Sequence, residues 1–212
     1  PRILFKTEIT HKTIMRLSAG RGWRTVNIFS ENIGIFSNQK NIVFISTPKP
    51  EVADNYGISI IQKYGNDNIN GSFGGDFYYT KFKNYVSSEY GIDPLIIYII
   101  NNKNNSFSHS SQIEYSLNVK KFLSFKIDYT YHQMYRQIAG NNELIPFIPK
   151  DKIVVALSFK NKNEKLQFDI NTNWFGRQII PATDKYISEY EISTKSSPYI
   201  IVNSQISYFF KK

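Results

Sequence analysis

Three histidines, His11, His109 and His132, are the side chains in this sequence best suited to bind a metal or move a proton near neutral pH. They stand far apart, with no H-x-H or H-E-x-x-H spacing, so each reads as a separate turn or polar-face residue rather than as part of a metal site. Asp and Glu are scattered singly, and an acid–base pair would have to be assembled by folding. There is no G-x-S-x-G and no phosphate loop, and Gly20-x-Gly22 is followed by no helical pattern that would make it a dinucleotide loop. Cysteine is absent, which removes thiolate metal sites, cysteine nucleophiles and disulfides. The expectation is a protein that is not an enzyme and needs no cofactor and no metal, with a membrane-anchored barrel enzyme as the residual catalytic reading.

Two arginines, Arg24 and Arg136, are the candidates for ligand contact. Each lies near the end of a predicted strand that faces a long polar connection, where an anionic solute would first be met. The plainer reading is an arginine bonding loop carbonyls or lipopolysaccharide phosphate. The formal charge of +9, from 26 Lys+Arg against 17 Asp+Glu, raises a polyanion as partner. The basic residues are dispersed, however, and their densest groups (Lys120 with Lys121, Lys150 with Lys152, Lys211 with Lys212) each fall near an apparent turn. They read as solvated turn charge, and no nucleic-acid partner is expected.

The elements that must position these residues are strands. No run approaches the roughly 18 to 20 apolar residues of a membrane helix; the longest is Leu95 to Ile100. Period-two alternation is widespread. Leu123, Phe125, Ile127, Tyr129 and Tyr131 share one face, and Ser124, Lys126, Asp128, Thr130 and His132 the other. Leu166, Phe168, Ile170 and Trp174 oppose Gln167, Asp169, Asn171 and Asn173, and Ile153, Val155, Leu157 and Phe159 form a third apolar face. On this basis strands are predicted near 2–10, 13–22, 54–64, 72–84, 106–118, 121–136, 149–160, 164–176 and 198–210, about nine in all, with ends uncertain by about 2 to 4 residues.

Their connections alternate in length. Short turns fall at His11 to Lys12, Gly65 to Gly71, Val119 to Lys120 and Asn161 to Glu164, and long polar loops at Trp23 to Ala53, Asn84 to Asn105, Gln137 to Pro149 and Arg177 to Ser197. Antiparallel strands joined in this way put every long loop at one end and every tight turn at the other, the layout of a transmembrane barrel. Strands of about 10 to 12 residues, tilted about 45°, span roughly 25 Å, the height of an outer-membrane apolar band. Leu123, Phe125, Ile127, Tyr129, Leu166, Phe168 and Ile170 are then expected to face lipid, with Lys126, Asp128, Asp169 and Asn171 toward the lumen. Tyr131, Tyr135, Trp174, Phe175, Tyr208 and Phe210 stand where interfacial aromatic girdles would lie.

The segment from Gly20 to Asn32, with Gly20-Arg21-Gly22-Trp23-Arg24, resembles the Gly-x-Gly-aromatic-Arg stretch that leaves a barrel strand for an extracellular loop in TonB-dependent receptors. Lys49-Pro50-Glu51 with Asn55-Tyr56-Gly57, and then Asp76-Phe77-Tyr78-Tyr79-Thr80-Lys81-Phe82, are similar to that family's next two strands. Ser106 to Tyr115 resembles its S-x-G-x-E-x-E strand, with serines where a Gly is common, and Leu144 to Pro149 its return from a loop. Trp174-Phe175-Gly176 with Ile180-Pro181 is similar to Bacteroidetes-like relatives. A Pro often found after the Arg of the first motif is missing.

The resemblance covers nearly the whole chain and implies an all-β, antiparallel barrel of about 22 strands around an N-terminal plug. Residues 1–212 would be a single partial domain of its C-terminal part, an open curved sheet, with plug, TonB-contacting segment and first barrel half before Pro1 and closing strands after Lys212. It further implies active uptake of a scarce nutrient (siderophore-iron, cobalamin or similar) through a Gram-negative outer membrane. The partners would be outer-membrane lipid and lipopolysaccharide, a TonB-type energising protein reached through the missing N-terminal region, and a small nutrient ligand. The alternative is a soluble β-rich carbohydrate-binding module using Trp23, Trp174 and tyrosines as stacking platforms. Loop sorting and the ordered motifs favour the barrel.

Overall fold

A computed structural model describes residues 1–27, 40–93, 95–102, 106–138, 141–180 and 193–210, without the side chains of 90–92 and 138. The described residues form thirteen strands: β1 (Arg2–Thr10), β2 (Thr13–Arg24), β3 (Asn41–Phe44), β4 (Glu51–Gly65), β5 (Ile69–Lys83), β6 (Tyr85–Asp93), β7 (Ile96–Asn102), β8 (Ser106–Val119), β9 (Leu123–Ile138), β10 (Asn141–Leu144), β11 (Asp151–Lys160), β12 (Leu166–Phe175) and β13 (Tyr199–Tyr208). Nine of them form one antiparallel path, β1-β2-β4-β5-β8-β9-β11-β12-β13, with β10 hairpinned onto β9. No pairing joins β1 to β13 among the described residues, so the sheet is open.

The turns at one end are built by local chemistry. Asn66 Oδ1 accepts from the backbone N–H of Asn68 and Ile69, an Asx turn after Gly65, which adopts φ 102°. At the β11–β12 turn Asn161 Oδ1 accepts from the N–H of Lys165 and Leu166. Because each successive pair in the path is antiparallel, the four long connections lie at the opposite end. That sorting agrees with the expectation from connection lengths.

Unbroken registers carry the faces across the sheet. Phe73, Tyr115, Ile127, Val155, Thr172 and Val202 are successive cross-strand partners on one face. Their immediate chain neighbours Ser72, Ser116, Lys126, Ala156, Asn171 and Asn203 form the matching row on the other. The same registers put Leu123, Phe125, Ile127 and Tyr129 on one face with Leu166, Phe168 and Ile170. Phe168, Phe73, Ile113, Ile206 and Phe5 are all exposed there. Among the described residues Ile97 and Ile99 are the sole fully buried apolar side chains, and both lie outside the large sheet. A nine-strand face this apolar with no core beneath it is not a soluble arrangement.

Two expectations need correction. The stretches read as loops at 23–53, 84–105 and 137–149 contain β3, β6, β7 and β10, and β3 pairs with β7 in parallel, so the pairing is not wholly antiparallel. The cause lies in Leu95 to Ile100: a short apolar run without polar alternation can be a strand, and here it is β7, with Ile97 and Ile99 buried on one face and Ile96, Tyr98 and Ile100 half-buried on the other. Ile97 and Ile99 form the core of the small sheet β3-β7-β6, packed against Val26, Ile42 and Val86. Phe175, placed with the girdle aromatics, takes the opposite face from Trp174 and stacks on Tyr199 at 4.8 Å. Pro181 and the stretch from Ile28 to Asn32 lie outside the described residues.

Candidate functional site

The small sheet is a bent continuation of the β5/β8 hairpin. At the bend Asn84 adopts φ 56°, a left-handed conformation that asparagine tolerates better than most residues. Asn101 Nδ2 donates to the Asn84 carbonyl at 2.8 Å, and Asn84 Nδ2 to the Pro50 carbonyl at 3.3 Å. The bend carries β6 to the polar side of the large sheet, where two carboxylates clamp it. Glu51, buried at the start of β4, accepts from Arg24 Nε through Oε2 at 2.6 Å and from the Val86 N–H through Oε1 at 2.8 Å. Glu89 of β6 pairs with Arg136 Nη1 of β9 and accepts from Ser87 Oγ at 3.1 Å. Arg136 Nη2 also reaches Glu143 Oε2 at 3.5 Å, from β10.

Both sequence candidates are therefore posts of the clamp, and they differ in accessibility. The Arg24 side chain is 57% exposed, whereas Arg136 is buried. Burial pushes the Glu89 carboxyl above the usual carboxylate range; the Arg136 charge and the Ser87 hydroxyl oppose that shift, and Glu143 adds to it. Among the described residues Arg136 Nε and Ser106 Oγ are buried with no hydrogen-bond partner. Glu51, Glu89 and Glu143 were not anticipated as clamp residues. Glu51 carried a signal in the Lys49-Pro50-Glu51 motif, while Glu89 and Arg136 meet across 47 residues of sequence and carried none.

Arg24 and Glu51 border a groove of about 500 Å³ with a floor of Gly22 and Ala53 and walls of Phe82, Tyr85 and Met134. A second hollow, of about 450 Å³, lies beside it where the last two long connections return, and His132, Met134, Ile145, Trp174 and Ile179 line it. A third, of about 330 Å³, rests on the polar face over Lys126, Ser158, Asp169, Asn171 and Asn203. The histidines do not converge: His109 stacks between Tyr131 and Tyr135 at 5.9 Å from each, and His11 occupies the β1–β2 turn. Among the described residues no group of three or more His, Asp or Glu could hold a metal ion. The arrangement is one of apolar and aromatic hollows with a few polar groups, suited to binding.

The family profile described as TonB dependent receptor-like, beta-barrel matches residues 5–211. The chain belongs to this family. No curated protein matches it. Among solved structures it is similar to the ferric enterobactin receptor PfeA of Pseudomonas aeruginosa (TM-score 0.68, 16% identity, 100% of this chain and 33% of that one). It is also similar to the FrpB iron transporter of Neisseria meningitidis (0.66, 11%, 99% and 32%) and to the copper transporter OprC (0.68, 11%, 100% and 31%). The chain thus spans about a third of the length of these structures. As a TonB-dependent barrel segment it is an outer-membrane protein of a Gram-negative cell, from a family of transport receptors rather than enzymes.

Proposed function

We propose that this chain is the C-terminal barrel portion of a TonB-dependent transporter that imports a scarce nutrient, siderophore-bound iron, cobalamin or a similar small ligand, and that it performs no catalysis. The observation that carries the reading is the exposed apolar face running unbroken across the nine-strand sheet, opposite a face of Lys, Asp, Asn and Ser. Such a sheet needs lipid on one side and water or a polar plug on the other. Leu123, Phe125, Ile127, Tyr129, Leu166, Phe168 and Ile170 then face outer-membrane lipid and lipopolysaccharide. Lys126, Asp128, Asp169 and Asn171 line the lumen, and the long connections are extracellular.

The similarity to iron and copper transporters supports uptake of a metal or its complex without choosing among ligands. Arg24 at the rim of the Gly22–Ala53 groove is the ligand-contact candidate. Arg136 serves the ligand by holding β6 in place. The plug and the segment that contacts the TonB-type protein belong to the rest of the polypeptide. The test is uptake by cells in which the full-length gene is deleted and restored. Labelled ferric siderophores, cobalamin and copper are supplied with and without a protonophore; energy-dependent uptake of one that requires the gene is expected. Uptake of all of them unchanged by deletion would overturn the proposal.

A further inference from the structure

The tight turns gather charge that lies dispersed in the sequence. The four stretches at that edge, 10–13, 62–70, 118–124 and 159–166, hold seven lysines, no arginine, and two carboxylates, Asp67 and Glu164. Lys121 Nζ meets Glu164 Oε1 at 3.1 Å, but the two side chains are 78% and 54% exposed, so water screens the pair. At the other end of the sheet arginines hold the carboxylates: Arg21 pairs with Asp54, Arg24 with Glu51 and Arg136 with Glu89. The surplus of cations therefore sits at the short-turn edge.

Backbone bonds tie these turns into one rim. The Lys63 N–H donates to the Lys12 carbonyl, the Lys120 N–H to the Asn68 carbonyl and the Lys160 N–H to the Phe122 carbonyl, each at 2.7 Å, and the Phe209 N–H to the Lys165 carbonyl at 2.8 Å. Each bond crosses from one turn to the next strand or turn, so the lysine backbones are set relative to one another before any partner arrives. Lys63 lies opposite Ser72 and Lys160 opposite Gln167, on the polar face. Lys120, Lys121 and Lys162 occupy turn tips and are exposed. From β2 to β12 the rim crosses six strand-to-strand steps, which at about 4.8 Å each give about 29 Å.

That length exceeds one small anion and fits a polymer that repeats its charges. Lysines are compact point charges without the planar fork of arginine, so they suit a run of separate carboxylates better than one phosphate clasped by a fork. A lipid headgroup would be met from the apolar face, which Lys63 and Lys160 do not share. The tight-turn end of an outer-membrane barrel faces the periplasm. We infer that this rim docks the peptide–glycan polymer of the cell wall, its lysines meeting the free carboxylates of the stem peptides. The inference rests on the orientation given above, with the long connections extracellular. Several weak contacts on a pre-set row reinforce one another, because the first holds the polymer near the rest. Such contact weakens with salt.

The test is co-sedimentation of the full-length receptor, in detergent, with purified cell-wall sacculi. Lys120→Gln/Lys121→Gln/Lys160→Gln/Lys162→Gln is compared with Lys40→Gln/Lys49→Gln/Lys81→Gln/Lys83→Gln at the long-connection end. The first variant is expected to lose affinity by about tenfold, the sum of four screened contacts, and the second to bind as wild type. Sacculi whose carboxylates have been amidated should hold wild type and first variant equally weakly. Equal binding by the two variants, or full retention of wild type on amidated sacculi, would overturn the rim. A first variant that keeps its affinity for sacculi and loses only co-purified phosphatidylglycerol would overturn it too, by making the surface a lipid site. If the quadruple variant fails to assemble, Lys120→Gln/Lys121→Gln on the exposed turn carries the comparison, with an expected loss of about threefold. Labelling of full-length Lys162→Cys by an impermeant maleimide in intact cells would instead put the turns outside the cell and sink the orientation itself.

Discussion

Arg136 of β9 and Glu89 of β6 form a buried ion pair that joins the small loop sheet to the wall of the large one. The second join, from Glu51 to Arg24 and the Val86 N–H, lies at the start of the same hairpin. Between them they fix the angle at which β6 and β7 leave the barrel strands.

Removing one member of a buried pair strands the other, at a cost of about 3 to 5 kcal/mol. Arg136→Met is therefore expected to release the small sheet while leaving the barrel strands paired. Hydrogen exchange on the full-length protein should show faster exchange at Ile97 and Ile99 and unchanged exchange in β11 and β12. Arg24→Met should do less, since Arg24 is 57% exposed and its attraction for Glu51 is screened by water. Equal effects would show that the clamp does not depend on the buried pair.

The docking should also respond to pH. A carboxyl held above its usual range when docked binds its proton more tightly docked than released. Its contribution to docking is therefore complete below the solvated carboxylate range and fades as pH rises through the raised value. Exchange protection of β6 and β7, corrected for intrinsic rates, should increase from neutral toward mildly acidic pH. Glu89→Gln should flatten that profile. An unchanged profile in the Gln variant would assign the pH response elsewhere.

The two faces of β12 should tolerate charge unequally. Phe168→Arg places a cation on the apolar face, at a cost of about 2 to 4 kcal/mol near mid-membrane, whereas Asn171→Arg joins a polar row. Outer-membrane levels and heat-modifiable migration of the full-length protein should fall for the first and hold for the second. Equal tolerance would remove the reason for placing lipid on the Phe168 side.

Two glycines should separate in the same assay. A Cβ at Gly57 would run into the ring of Tyr78, its cross-strand partner, and lie 2.8 Å from Ser18 Oγ. Gly57→Val is expected to reduce assembly, because the ring must leave the strand it covers. A Cβ at Gly22 meets nothing within 4 Å, so Gly22→Ala should assemble normally while narrowing the groove beside Arg24.

The nine barrel strands, their two faces and the sorting of their connections were legible in the amino-acid order, because a period of two and the position of turn residues are local properties. Leu123 to Tyr131 already declared its apolar side before any partner was known, and the registers with β8 and β11 merely carried that side across the sheet. The family motifs were legible for the same reason, since each lies within one strand or its exit. What tertiary structure decided was everything that depends on non-local partners. Leu95 to Ile100 gave no periodicity to say that it would be a core strand, and β3 reached it from another connection to pair in parallel. Arg24 and Arg136 looked equivalent, as lone cations at strand ends, until folding brought Glu51 to one and Glu89 to the other. Their partners lie 27 and 47 residues away; both carboxylates are buried, and what separates the two arginines is their own exposure, high for Arg24 and low for Arg136. No local pattern encodes such a distance, because the cost of desolvating these charges, and the pairing that offsets it, arise only once the sheet has formed.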